Sequence, residues 1–213
     1  MRILLVAATI AEIEPFEHQT QDSQVDVLIT GVGMVATTFQ VTKKLSQDSY
    51  DLVINAGIAG AFDHTIKIGK VVEIKTEQFS ELGVEDDANF VSAFELGLIQ
   101  ENEYPFNLEK LDNPDAGISG LQLVDAITVS TVHGNETSIQ KIMERCSPQV
   151  ESMEGGAVAY VCLQEKIRFV QIRAISNYVE KRNKDAWNIA LAIANLNVEL
   201  MKLIANLEQN TIA

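Results

Sequence analysis

Short apolar runs alternate with helix-period stretches along most of this chain. Runs at 2–8, 25–30, 52–56, 71–75, 121–130 and 168–176 are dense in Val, Ile, Leu and Ala and predict buried strands. Stretches at 34–47, 135–146, 154–165 and about 183–208 predict helices. In the last of these, Trp187, Leu191, Ala194, Val198, Met201 and Ala205 recur every three or four residues, as one stripe expected to lie against a core. Asn183 is the expected cap of that helix, with Asp185 as its rival. Continuous apolar strands separated by helices need a sheet covered on both faces, so the expected class is α/β.

The stretch 77–120 breaks this rhythm. It is acidic, with Glu81, Glu85, Asp86 and Asp87 close together, and it contains Pro105 and Pro114. A long irregular excursion suits a lid or a partner contact, and a solvated insert without a role suits it as well. At 213 residues the chain fits one domain spanning 1–213. Thirty acids against 16 bases give a net charge of −14, which repels phosphate backbones and anionic bilayers and argues against nucleic acid or membrane as a partner. Cys146 and Cys162 lie in or beside helical stretches and read as buried thiols in a reducing compartment. No Cys/His spacing marks a metal site. Arg2 with apolar 3–8 imitates a signal peptide, but Thr9, Glu12 and Glu14 end the run at once. No run approaches the roughly 20 apolar residues of a membrane span, so a soluble, cytoplasmic protein is expected.

Gly31-Val32-Gly33-Met34-Val35-Ala36 matches G-x-G-x-x-A between a strand and a helix, the setting of a dinucleotide fingerprint. That fingerprint also needs an acid at the end of the next strand. Here the strand ends Ile54-Asn55-Ala56-Gly57, with Asp51 at its wrong end and Asp63 well beyond it. No dinucleotide cofactor is implied, and the glycines read as places where backbone approaches a ligand or water. A second glycine run, 55–62, is expected to form a loop after its strand. Ligands of open α/β sheets gather beyond the carboxyl ends of strands. Glu12, both glycine runs, Glu154 and Asn177 fall at such ends. An acid and an amide at the rim of a sheet suit a small ligand with hydroxyls and an aromatic base. Taken singly, each residue has a plainer reading. Glu154 could cap a helix, Met153 could be core and Glu12 a solvated loop acid. Arg173 could pair on the sheet rim, and His133 reads as a turn histidine with no catalytic part.

Gly57-Ile58-Ala59-Gly60, Ser152-Met153-Glu154-Gly155 and Arg173-Ala174-Ile175-Ser176-Asn177 resemble the purine nucleoside phosphorylase and nucleosidase superfamily across nearly the whole chain. Ile175-Ser176-Asn177-Tyr178, followed by Lys181-Arg182-Asn183 and Trp187, is most similar to the futalosine hydrolases of menaquinone biosynthesis. The resemblance implies a three-layer α/β/α sandwich around a mixed, barrel-like sheet. It implies hydrolysis of futalosine to hypoxanthine and dehypoxanthine futalosine, without a cofactor, by a homodimer or larger homo-oligomer. Methylthioadenosine/S-adenosylhomocysteine and 6-amino-6-deoxyfutalosine nucleosidases and purine nucleoside phosphorylases are the alternatives.

On that resemblance Glu12 activates water, Glu154 accepts the ribose hydroxyls and Met153 packs under the sugar. Gly57 and Ile58 line the substrate site, and Arg173 positions water or steadies the acids. Arg182 or Lys181 pairs with the benzoate of futalosine, or both are surface charges. Asn177 stands where adenine-specific nucleosidases carry Asp. Its amide offers two donors, which suit the N7 and O6 acceptors of a 6-oxopurine. Two positions depart from the family. Ile58 replaces a Ser of the adenine-type enzymes, so water positioning must differ or rely on backbone, and Gly156 replaces the usual Ala. Arginine is absent between Arg2 and Arg145. The glycine runs therefore have no bidentate phosphate clamp of their own, and water is the expected nucleophile.

Overall fold

A computed structural model describes residues 1–19, 24–87 and 89–211. The chain opens with β1 (Ile3–Ala7), α1 (Ile10–Gln19), β2 (Val25–Ile29), α2 (Met34–Gln47), β3 (Leu52–Ala61) and β4 (Val71–Phe79). A hairpin of β5 (Gly83–Asp86) and β6 (Asn89–Ser92) precedes β7 (Leu111–Asp112) and β8 (Leu123–Thr128). Then come α3 (Glu136–Cys146), β9 (Val150–Ser152), α4 (Gly155–Glu165) and β10 (Phe169–Tyr178). A 3-10 turn (Lys184–Ala186) leads into α5 (Ile189–Thr211).

Eight strands share one mixed sheet, ordered β10-β4-β8-β9-β3-β1-β2, with β7 on β4. Because β10 also pairs with β3, strands β3, β10, β4, β8 and β9 close into a five-stranded barrel. The β10–β4 and β3–β9 pairs are antiparallel, and the other barrel pairs are parallel. β1 and β2 continue the sheet away from β3 as a parallel arm. All five residues of β1 are buried, because helices cover both faces of that arm. Ile3 and Leu5 pack with Leu196 and Leu200 of α5. Leu4 and Val6 pack on the other side with Val41 of α2 and Val158 and Cys162 of α4. The expected three layers follow from this alternation.

Several elements differ from expectation. β3 does not stop at 56. It runs to Ala61, so the second glycine run is barrel wall and not a loop. β4 likewise continues to Phe79, which puts Thr76 and Glu77 inside the wall and outside the acidic excursion. α1 was not expected at all. The apolar stripe foreseen in the last helix is displaced: Trp187 precedes the helix, and Leu191 and Val198 are 40% and 45% exposed. The buried side is carried by Ala192, Leu196, Leu200, Leu203 and Ile204. Both sides of α5 are apolar, and periodicity alone does not say which one meets α1 and β10. Asn183 caps the 3-10 turn by accepting from the Asp185 N–H at 3.2 Å, while Asn188 accepts from the Leu191 N–H at 3.1 Å and caps α5.

The 77–120 stretch is anchored to the rest of the chain. Phe106 packs edge-on against Phe79 and Phe94 and beside Tyr160 of α4. The buried Glu73 carboxylate accepts from Gly117 N at 2.6 Å and Ser119 N at 3.0 Å. Cys146 and Cys162 are free thiols, and burial raises the proton affinity of both.

Candidate active site

Glu12 is positioned twice over. Thr9-Ile10-Ala11-Glu12 has capping-box spacing and forms its carboxylate half: Glu12 Oε2 accepts from the Thr9 N–H at 3.0 Å and from the Thr9 hydroxyl at 3.2 Å, and the Glu12 N–H donates to the Thr9 carbonyl at 3.3 Å. That T-x-x-E spacing is the sequence signal that reveals α1 and turns Glu12 from a loop acid into a helix-start acid. The other oxygen, Oε1, accepts from the Ile58 backbone N–H at 3.1 Å. Backbone thus reaches Glu12 at the position where the family's serine is missing. A Cβ on Gly57 would stand 3.0 Å from Glu12 Oε1, so the carboxylate lies against bare backbone there.

Glu154 precedes α4 but does not cap it. Ser152 Oγ and Thr128 Oγ1 accept from the Gly155 and Gly156 N–H groups at 3.3 and 2.6 Å. Freed from that task, Glu154 Oε1 accepts from the Gly33 N–H at 2.8 Å. Gly31 and Gly33 have φ of 83° and 92°, a left-handed backbone that favours glycine. The dinucleotide-like motif therefore serves to present an N–H to a carboxylate. Burial raises the proton affinity of Glu154, and Gly33 and Arg173 oppose the rise while Glu12 adds to it.

Arg173 is 2% exposed, so it does not form the rim ion pair considered from sequence. Its Nη1 donates to the Asn55 and Ile172 carbonyls at 3.1 and 3.0 Å, and its Nη2 to Asn55 Oδ1 and, at 3.4 Å, to Gln171 Oε1. It forms no ion pair with a carboxylate among the described residues. Burial lowers its pKa, and Glu77, Glu154 and Glu12 act in the opposite direction. The guanidinium therefore supplies a buried positive charge among three acids, Glu77, Glu154 and Glu12. Asn55, Gln171 and Glu77 were missed in the sequence, since each sits inside a strand where polar residues carry no motif.

A bulge in β10 between Ile175 and Asn177 re-aims the strand end. Asn177 is half-buried. Its Oδ1 accepts from Ser176 Oγ at 2.8 Å, and one Nδ2 hydrogen goes to the Tyr178 carbonyl at 3.0 Å. A Cβ on Gly60 would stand 3.2 Å from Asn177 Nδ2 and 3.7 Å from Glu151 Cγ, so the two side chains flank Gly60. His133 is held by Glu151: its Nδ1 lies 2.6 Å from Glu151 Oε2, and its backbone N–H donates to Oε1 at 2.9 Å. Met153 is half-buried against Phe62, Ile127 and Val179. Arg182 is exposed. Its N–H donates to the Gly134 carbonyl at 3.1 Å, and its guanidinium lies 5.3 Å from the Trp187 ring centre.

Glu12, Gly57, Ile58, Arg173, Gly33 and Glu154 thus meet at one place, with Asn177 farther along β10. The other arginines are engaged elsewhere. Arg2 pairs with Asp26 and Asp48, Arg145 donates to the Ser80 carbonyl, and Arg168 pairs with Asp115. The arrangement offers two acceptor carboxylates, a buried cation and an amide donor, with no anion clamp at the glycines.

The family model described as "Phosphorylase superfamily" matches residues 16–208. Futalosine hydrolase of Streptomyces coelicolor is 31% identical over 189 residues, which cover 86% of this chain and 80% of that protein. The 5′-methylthioadenosine/S-adenosylhomocysteine nucleosidase of Colwellia psychrerythraea is 27% identical over 195 residues, 84% of this chain and 78% of that one. Its crystal structure with adenine superposes with a TM-score of 0.81 at 19% identity, covering 96% of this chain and 95% of that one. Native futalosine hydrolase of Helicobacter pylori superposes with a TM-score of 0.79 at 14% identity, covering 97% and 98%.

Proposed function

The chain belongs to the phosphorylase superfamily, and on that premise we propose that it is the futalosine-cleaving kind of purine nucleosidase. N-glycosyl hydrolysis is the activity that its named relatives share. The observation that carries the finer reading is an amide, Asn177, at the base end of a site that holds both Glu12 and Glu154.

The steps follow from the geometry. Glu154 accepts hydrogen bonds from the ribose hydroxyls, and its own position is held by Gly33. Met153 packs under the sugar. Glu12 takes a proton from water as the water oxygen attacks the anomeric carbon and the C–N bond breaks. Two acids facing the sugar favour the positive charge that develops on it, and the buried Arg173 beside them opposes the rise that burial causes in the proton affinity of Glu154. One Asn177 Nδ2 hydrogen remains after the bond to Tyr178, and it meets N7 or O6 of the departing 6-oxopurine. The base leaves as an anion and takes a proton from solvent, while Glu12 returns its own proton to water; hypoxanthine and dehypoxanthine futalosine are then the products, the pair expected of an enzyme of menaquinone biosynthesis. Arg182, on the surface beside Trp187, is the group for the benzoate of the substrate. Two free thiols and the acidic surface suit the cytoplasm.

A second copy completes the assembly in this reading. Val35 and Phe39 of α2 are 86% and 62% exposed and form an open, largely apolar face with Met34 and Thr38. An apolar patch of this kind is costly in water and is covered in a homodimer. Val35→Glu with Phe39→Glu should then yield monomers by light scattering.

The functional test is a panel of futalosine, 6-amino-6-deoxyfutalosine, inosine and methylthioadenosine, each with and without phosphate, with the released base identified. Hypoxanthine from futalosine, at a rate phosphate does not change, is expected. Adenine from the amino-purine nucleosides alone would overturn the substrate assignment. A phosphate requirement would overturn hydrolysis.

A further inference from the structure

One carboxyl at the site has no part in these steps. Glu77 lies within β4 at 1% exposure. Its Oε2 accepts from Thr128 Oγ1 at 2.9 Å, and its Oε1 has no hydrogen-bond partner. A Cβ on Gly155 would stand 1.9 Å from Glu77 Oε1 and 2.8 Å from Gln171 Oε1. The unpartnered oxygen therefore presses on the residue that follows Glu154 in the chain. Gln171 in turn accepts from Arg173. The charged groups that face Glu77 are Arg173 from β10 and Glu154 from the head of α4. Thr128 of β8 supplies only a neutral donor. A buried acceptor left unpaired is destabilising, and such a group in a site points to a role other than stability.

We propose that Glu77 is a positioning residue of the hydrolysis: acting through Arg173 and the first turn of α4, it fixes where Glu154 stands and how much negative charge the sugar meets. This rests on the nucleosidase reading. Ionised Glu77 adds a third negative charge around Arg173, which favours a cationic sugar in the transition state. Protonated Glu77 withdraws that charge, and its Oε1 becomes a donor. Burial raises its pKa to about 7, so both forms are populated near neutral pH. The glycine pair at 155 and 156 belongs to the same device. A Cβ on Gly156 would meet Phe79 at 2.7 Å, and one on Gly155 would overlap the carboxyl, so the head of α4 is cut to fit Glu77.

The test compares wild type, Glu77→Gln, Glu77→Asp and Thr128→Val across pH. Wild-type kcat should rise as pH passes through about 7. Glu77→Gln, held in the neutral form, should lose that step and run about tenfold slower at about pH 8, with KM within about twofold. Glu77→Asp should restore a step. Thr128→Val removes the donor that favours the ionised form, so its step should move to higher pH. This fourth arm stands even if Glu77→Gln fails to fold. A wild type that cleaves no purine nucleoside defeats the functional reading. An active wild type whose pH profile Glu77→Gln reproduces, or a Thr128→Val step that does not move, overturns the role of Glu77.

Discussion

Asn197 of α5 holds the backbone of Glu12 from 185 positions away in the sequence. Its Nδ2 donates to the Glu12 carbonyl at 2.8 Å, and its Oδ1 accepts from the Phe16 N–H at 3.0 Å. Those are the two groups that a regular helix pairs with each other. Pro15 lies between them, without an N–H and with a ring that crowds the preceding turn. The amide of Asn197, 2% exposed and bonded also to the Ile193 carbonyl at 2.8 Å, bridges the loosened turn. The C-terminal helix thereby sets the position of the first acid of the site.

Asn197→Leu keeps the volume and removes the bridge. Two buried backbone groups lose a partner, which costs about 1–3 kcal/mol. Glu12 also loses its fixed placement against Ile58, and a displacement of this kind costs about 10- to 100-fold in rate. Steady-state kinetics and a thermal melt read the two effects separately. A lowered Tm with unchanged kcat would assign Asn197 to stability alone.

Gly57→Ala probes the same acid from the other side. The added methyl would stand 3.0 Å from Glu12 Oε1 and 3.9 Å from Arg173 Cζ. The backbone at Gly57 is ordinary strand, so the fold should survive while Glu12 shifts. We expect kcat to fall at least about tenfold with little change in KM. Gly60→Ala should behave differently. Its methyl would meet Val179 at 2.9 Å and Asn177 Nδ2 at 3.2 Å, so KM and base preference should change instead.

Asn177→Asp replaces a donor by an acceptor when ionised. The buried pairing with a 6-oxopurine then loses about 1–3 kcal/mol, or roughly 5- to 150-fold in kcat/KM for hypoxanthine nucleosides. Adenine nucleosides should lose less, or gain. Equal losses for both bases would show that position 177 does not read the base.

How far the residues disclosed this arrangement depends on how local each signal is. The positions of most long strands could be outlined because apolar runs are local, and Glu154 and Asn177 fell at strand ends by simple counting; their order in the sheet could not. α1 went unseen because Pro15 and three glutamates mask its period, although Thr9 to Glu12 have capping-box spacing. The 55–62 run looked like a loop because glycine disfavours strands. In the barrel those glycines leave room for Glu12 and Asn177. Glu77, Asn55, Gln171 and Asn197 were out of reach. Each is a polar residue in an apolar element: Glu77, Asn55 and Asn197 bond to partners distant in sequence, and Gln171, bonded to Arg173 two positions on, reaches Gly155 only through the folded packing.

The buried acids also set how stability varies with pH. The Glu77 pKa is about 7 in the folded protein, against 4.5 for the free side chain. Between these values the folded protein binds more protons than the unfolded chain, so stability falls as pH rises from about 4.5 to about 7 and levels off above it. At about 1.4 kcal/mol per pKa unit the loss is on the order of 3 kcal/mol, and Glu154, raised by its burial, adds to it with the same sign. Asp26, Asp63 and Glu95 are lowered, so their contributions are lost only at more acid pH, below this window. Glu77→Gln abolishes the charge and with it most of the slope. Urea unfolding at about pH 5, 6, 7 and 8 should show the variant gaining on wild type toward the alkaline end, where its activity is expected to be lowest relative to wild type. A wild-type stability that stays level or rises over this range would show that the Glu77 carboxyl ionises as an ordinary solvated acid.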